Sequence, residues 1–249
     1  MVPQAAQEHH QVGGKRVKYV LKISTIVLLL LGVASAQSAQ PAQPAQPATA
    51  TDVYHVHFNK ATPGEAAALG QRLSTADPKA PMPGHFIVLR HQEGDEWDYC
   101  VIEHLGSKAT VTPEPSAVSP GQRDQSAWHG DTFVSGPSWA EFTRAMGIGE
   151  GKDRVANAIY IVTVYRAAPG HREQLQKFIS QPPGSKVPTG AVVMEHLEGG
   201  PWNFLTITRY NSWQDLATDR STVSPEGWNE NRNHTAFHRD TIADRIAPK

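Results

Sequence analysis

Histidine is the residue type with the most chemistry to offer in this chain. Twelve occur in 249 residues, and all but His9 and His10 lie beyond the N-terminal segment. His55 and His57 stand two apart in V-Y-H-V-H-F-N-K, so on an extended chain both imidazoles share one face. Such a pair can ligate a metal ion or hold a substrate by hydrogen bonds, because neutral imidazole carries one donor and one acceptor. A second pattern occurs twice, as His129-Gly130-Asp131-Thr132 and His238-Arg239-Asp240-Thr241. A carboxylate beside an imidazole orients the ring and raises its pKa, as general-base catalysis requires. That pairing needs a strand, where residues two apart share a face; in a helix they diverge, and the motif then belongs to a capping arrangement. If the segment around His234 is helical, His234 and His238 gain an i, i+4 metal spacing, though without the glutamate that marks zinc proteases. The catalytic candidates are therefore His55, His57, His129, Asp131, His238 and Asp240.

The elements that must position these residues are announced by an internal echo. Val53–Ser74 reads V-Y-H-V-H-F-N-K-A-T-P-G-E-A-A-A-L-G-Q-R-L-S, and Ile159–Ser180 reads I-Y-I-V-T-V-Y-R-A-A-P-G-H-R-E-Q-L-Q-K-F-I-S. H-Q-E-G-D-E-W-D-Y at His91–Tyr99 returns as H-L-E-G-G-P-W-N-F at His196–Phe204, and A-W-H-G-D-T at Ala127–Thr132 as A-F-H-R-D-T at Ala236–Thr241. Positions kept in both copies suit a structural task. His91 and His196 are expected to pack at a hairpin beside Trp97 and Trp202, with Asp98 and Asn203 accepting backbone hydrogen bonds at the turn.

Each copy opens with an alternating strand: Tyr54, Val56 and Phe58 on one face, His55, His57 and Asn59 on the other, with Tyr160, Val162 and Val164 repeating the apolar face. Pro63-Gly64 and Pro169-Gly170 then open helices, proline fitting the first turn, with Leu69 and Leu73, or Leu175 and Ile179, on one side. Short apolar runs at His85–His91 and Ala191–Leu197 are joined to Trp97–His104 and Trp202–Tyr210 by Gly-containing connections, which predicts hairpins. Ser212 caps a helix in the second copy, and Asp240–Ile246 is a final strand or the end of a helix. The first copy has instead a loop rich in Pro, Ser and Thr from Ser107 to Pro120.

Strand, helix, strand, strand, helix, strand is the split βαβ order. The predicted class is α+β: two tandem ferredoxin-like units, residues 52–150 and 151–249, packed as an intrachain pseudo-dimeric barrel. Over residues 52–247 the repeat pattern resembles the dimeric α+β barrel superfamily, and within it most of all the antibiotic-biosynthesis monooxygenase and NIPSNAP-type domains. The resemblance implies a small-molecule site in the space between the units. If helices cover the Tyr54/Val56/Phe58 face, His55 and His57 look into that space.

The ends and the charge bound the setting. Lys15, Arg16, Lys18 and Lys22 precede an apolar run from Ile23 to Val33, and Ala34-Ser35-Ala36 supplies small residues for cleavage, as in a secretory signal peptide over residues 1–36. The run is well short of the roughly 20 residues of a membrane span. An Ala/Gln/Pro-rich spacer follows over residues 37–51. The expected protein is exported, periplasmic or secreted, with no stable membrane span after cleavage; the alternative is a leader retained as an anchor. Losing residues 1–36 removes four basic residues and one acidic residue, taking the net charge from −1 to −4 and arguing against nucleic acid as a partner. Cys100 is the single cysteine, so no intrachain disulfide forms.

No nucleophile elbow, phosphate loop, dinucleotide fingerprint or paired C-x-x-C occurs. Three functions fit what is left: a small-molecule enzyme acting as a cofactor-independent oxygenase or isomerase-like catalyst, a non-catalytic exported binding or assembly module, and metal or haem capture through histidines. No cofactor and no metal site are predicted, and oligomeric state stays open because outer strands can pair between chains.

Overall fold

The computed structural model describes residues 52–107, 125–148, 157–198 and 201–248. In chain order the elements are β1 (Asp52–Ala61), α1 (Ala66–Leu73), β2 (Phe86–Glu93), β3 (Tyr99–Ser107), β4 (Ser126–Gly136), α2 (Trp139–Met146), β5 (Ile159–Ala167), α3 (Arg172–Ile179), β6 (Gly190–Glu198), β7 (Phe204–Tyr210), α4 (Trp213–Ser221), α5 (Pro225–His234) and β8 (Thr235–Ala247). The eight strands close a barrel in the order β1-β3-β2-β8-β5-β7-β6-β4, every ladder antiparallel. The first four strands and the last four follow the same order, β4-β1-β3-β2 and β8-β5-β7-β6. The loop expected from Ser107 to Pro120 falls outside the described residues beyond Ser107, which ends β3.

Alternation along each strand decides what fills the barrel. Tyr54, Val56 and Phe58 of β1 form one buried cluster with Ile87 and Leu89 of β2, Cys100 and Ile102 of β3, and Tyr160 and Val162 of β5; β4, β6, β7 and β8 add members. Closing the sheet turns one face of every strand inward, and the apolar face takes that place because it removes most hydrocarbon from water. Trp97 and Trp202 belong to this cluster at the end where β1 and β5 finish. At the other end α2 contributes Phe142 and Met146, both fully buried. The repeated tyrosines hold α2 there: Tyr54 donates its hydroxyl to Pro137 O at 2.7 Å, and Tyr160 donates to Met146 O at 2.9 Å. A capping box at Ser138 and Glu141 starts α2, and Gly147, at φ 66°, ends it in the left-handed region.

The remaining helices lie outside the barrel. Leu69 of α1 packs with Val88, Tyr99 and Val101, and Leu216 of α4 packs with Ile159, Ile161 and Tyr210. Pro63-Gly64 and Pro169-Gly170 do not enter the helices as expected: α1 begins at Ala66 and α3 at Arg172, and the dipeptides make the preceding turns. Gly64 at φ 89° and Gly170 at φ 80° explain the echo, since the turn needs left-handed backbone that a side chain strains. Asp98 Oδ2 accepts Ala61 N at 2.8 Å, and Asn203 Oδ1 accepts Ala167 N at 2.7 Å, so the second echo also fixes backbone. β8 lies between β2 and β5, with Arg90 bidentate on Asp244 at 3.1 and 2.7 Å. No helix among the described residues is long and apolar enough to cross a membrane.

Candidate functional site

His55 and His57 stand on β1 with their side chains on the outer face of the barrel, 24% and 19% exposed. The inward orientation set out above is corrected here. Helices cover the face opposite Tyr54, Val56 and Phe58, and that apolar face fills the interior instead. Register brings two carboxylates to the histidines. His55 faces Glu103 across β3, and His57 faces Asp131 across β4.

The four side chains form a compact cluster. Glu103 Oε2 lies 3.3 Å from His55 Nδ1 and 3.2 Å from His57 Nε2. Asp131 Oδ1 lies 3.7 Å from His55 Nε2 and 3.9 Å from His57 Nδ1, so the carboxylates address opposite nitrogens of each ring. The imidazoles stack at 4.4 Å between centroids and 21° between planes, and Phe133 stacks on His55 at 5.0 Å. The His55 contact with Glu103 is a hydrogen bond; that of His57 is close but misaligned, and its Nε2 is buried without a hydrogen-bond partner. Burial alone would raise the Glu103 pKa, but the His55 hydrogen bond, the His57 ring close beside it and the charge of both imidazoles outweigh it and hold the carboxyl well below its usual range. An ionised carboxylate between two imidazoles can fix their tautomers, stabilise an added proton, or join them around a cation. His55, His57 and Glu103 each offer a ligand atom within 4.8 Å of the others.

The remaining candidates go elsewhere. His129 pairs in register with Asn59, and its side chain lies outside the described residues. His238 stacks on Tyr165 at 5.9 Å, while Asp240 accepts from Thr163 Oγ1 and from Arg220 Nη2, each at 2.9 Å. Asp240 is thus held by a hydroxyl and a guanidinium. The helical His234/His238 pairing does not form, because α5 ends at His234 and His238 is on β8. His234 instead approaches His171, Nδ1 to Nδ1 at 2.9 Å, and Glu230 at 3.2 Å. His91 and His196 lie against Trp97 and Trp202 at 5.7 and 4.9 Å, in keeping with a structural task.

Two features escaped the sequence. Glu103 is one; its signal was a lone acid in the apolar run Val101-Ile102-Glu103. The other is a chain from Asp52 Oδ2 to His104 Nε2 at 2.9 Å and from His104 Nδ1 to His85 Nδ1 at 3.1 Å. Trp139 stacks on both rings, and its backbone N–H donates to Asp52 Oδ2 at 2.9 Å, so the chain ties α2 to β1. Burial lowers the His104 pKa, and Asp52 only partly restores it. Two open clefts among the described residues lie away from the cluster: one of about 490 Å³ beside Arg166, Arg172 and Phe237, the other of about 390 Å³ between α2, α3 and β6.

No protein-family model matches the chain, and no curated protein is similar to it in sequence. Solved structures are similar in fold. A provisionally assigned monooxygenase from Lactobacillus acidophilus NCFM superposes with TM-score 0.50 at 9% identity, over 78% of this chain and 94% of that one. One from Fusobacterium nucleatum gives TM-score 0.52 at 7% identity, over 79% and 93%. An anthrone oxidase-like protein aligns at TM-score 0.48 and 15% identity, over 80% and 95%. The first two share the antiparallel eight-stranded α+β barrel of this chain.

Proposed function

We propose that this chain is an exported enzyme, two ferredoxin-like units in tandem, that binds a small organic molecule over the outer face of β1, β3 and β4 and takes a proton from it. The observation that carries the reading is the carboxylate arrangement: Glu103 near one nitrogen of each imidazole and Asp131 near the other. With the His55 Nδ1–H given to Glu103, Nε2 keeps a lone pair toward the side where Asp131 stands. A weakly acidic O–H, or a C–H beside a carbonyl, can transfer its proton there, and both carboxylates stabilise the imidazolium formed. The reaction class is proton abstraction, the first step of isomerisation and of cofactor-independent oxygenation alike. The monooxygenase-like fold and the partial exposure of both rings support this reading. The leader over residues 1–36 and the spacer over 37–51 support export.

Solvent-deuterium exchange into a panel of small ketones and phenols, followed by NMR with chelator present throughout, tests it. Catalysed exchange should fall about 100-fold or more in Glu103→Gln and His55→Gln. Saturable binding with no exchange by wild type would identify a non-catalytic binding module, and exchange unchanged in both variants would remove the chemistry from this cluster.

A further inference from the structure

We propose that His55, His57 and Glu103 form a binding site for a divalent transition-metal ion, zinc by its ligand geometry, with Asp131 as the residue that positions the two imidazoles. The inference concerns a metal-loaded form, in which His55 Nδ1 is a ligand and no longer donates to Glu103; it is separate from the proton-transfer reading of the metal-free form and stands on the geometry of the cluster alone.

Two imidazole nitrogens and one carboxylate oxygen are a donor set for a borderline cation; calcium and magnesium require more oxygens than the cluster offers. A tetrahedral zinc with bonds of about 2.0–2.1 Å has ligand atoms about 3.3–3.4 Å apart. The two edges that meet at Glu103 Oε2 are 3.3 Å to His55 Nδ1 and 3.2 Å to His57 Nε2. Each of the three residues offers a ligand atom within 4.8 Å of the others, and closing that spread to the edges of a zinc site is asked of the side-chain torsions.

His57 supplies a second argument. Its Nε2 is shut away from solvent, close to a carboxylate, yet not aligned to share a hydrogen bond with it. A buried polar atom without an aligned partner calls for an occupant, and a cation between Nε2 and Oε2 uses both lone pairs. Asp131 supplies a third. A metal-bound imidazole carries a proton on its other nitrogen and gives it to a carboxylate or carbonyl, fixing ring and tautomer. Asp131 Oδ1 stands 3.7 and 3.9 Å from those other nitrogens of both histidines. With three protein ligands on a partly exposed face, a fourth position is left for water or a small ligand.

The test uses the exported form of the chain, stripped with chelator and dialysed, titrated calorimetrically with zinc chloride and, in parallel, with cobalt(II) for its visible spectrum. One equivalent per chain is expected, with intense visible bands of four-coordinate cobalt and no binding of magnesium or calcium. Glu103→Gln and His57→Gln should each weaken zinc by about 100-fold or more, and Asp131→Asn by about 10- to 100-fold. Binding unchanged in Glu103→Gln and His57→Gln would overturn the proposal and move the metal to another pair, such as His171 and His234. Absence of stoichiometric binding by wild type would overturn it outright. Should a variant misfold, X-ray absorption on the wild-type zinc form decides: two imidazole nitrogens with one carboxylate oxygen support the site, and any other set sinks it. Proton exchange by chelated protein is measured independently, so failure of either inference leaves the other standing.

Discussion

On the outer face of β1 and β3, His55 and His57 stand beside Glu103; at the matching rungs of β5 and β7, Ile161 and Thr163 stand beside Thr208 and Thr206. The strand next to each carries an aspartate on the same rung, Asp131 opposite His57 and Asp240 opposite Thr163. In the first case the carboxylate faces imidazoles; in the second it is answered by Arg220 of α4 and by the Thr163 hydroxyl. The inner faces of the same strands barely differ, Tyr54 and Val56 against Tyr160 and Val162. Packing inside a closed barrel leaves little latitude in volume or polarity, whereas the outer face accepts whatever covers it. Where α4 lies on the sheet through Leu216, the outer positions are apolar or hydroxylic. The titratable side chains gather where the outer rungs are partly solvated.

The comparison can be broken most severely by Ile161→His, which carries the β1 pattern onto β5. Ile161 is 4% exposed and packs in the Leu216 cluster, so the substitution should cost about 3 kcal/mol through lost apolar burial and an unpartnered ring. Urea unfolding followed by tryptophan fluorescence measures it; a loss below about 1 kcal/mol would mean α4 does not seal that face.

Alkaline pH gives the next largest effect. Tyr165 occupies on β5 the place of Asn59 on β1, and burial, then the Asp240 charge, push its pKa from 10.0 up to about 12 despite the opposing influence of the nearby Thr206 and Thr163 hydroxyls and of Arg220. The folded state keeps the phenol neutral while the unfolded chain ionises it. Its contribution is therefore complete below pH 10 and is lost as pH rises through about 12. Tyr165→Phe should flatten this dependence, by on the order of 2 kcal/mol between those limits. Parallel pH curves for both proteins would contradict the assignment.

Arg220→Ala tests how the second aspartate is held. Both partners are a third or more exposed, so the loss should be about 0.5–1 kcal/mol and should shrink in high salt. A salt-independent loss would point to packing instead. The smallest effect on stability is expected from His55→Ile, about 0.5 kcal/mol by thermal unfolding, because Phe133 can stack on either side chain and the partly solvated Glu103 can turn to water for the hydrogen bond it loses. A larger loss would make the cluster structural.

How much was legible follows from which interactions are local. Pro63-Gly64 and Pro169-Gly170 declare their turns because left-handed backbone calls for glycine, and Asp98 and Asn203 declare theirs because a short side chain must reach a nearby N–H. Alternation in β1 separated two faces correctly, but not inside from outside, since that depends on where helices arrive. Glu103 was missed because its partnership with His55 spans 48 positions and rests on a register that no local pattern encodes. The helical reading of His234 and His238 failed at Thr235, where the chain turns from helix to strand and separates residues that an i, i+4 count places together.

The position of β8 between β2 and β5 also sets a clock for biosynthesis. A chain made N-terminus first can assemble β1 to β4 early, yet the seam on the β2 side stays open until residue 247 has emerged. Until then the row of Tyr54, Val56, Ile87 and Leu89 is uncovered, and a ribosome pause or premature stop within the last 13-residue strand leaves that row available to chaperones or to other nascent chains. Closure of the barrel thus waits on β8, the strand that joins β2 to β5.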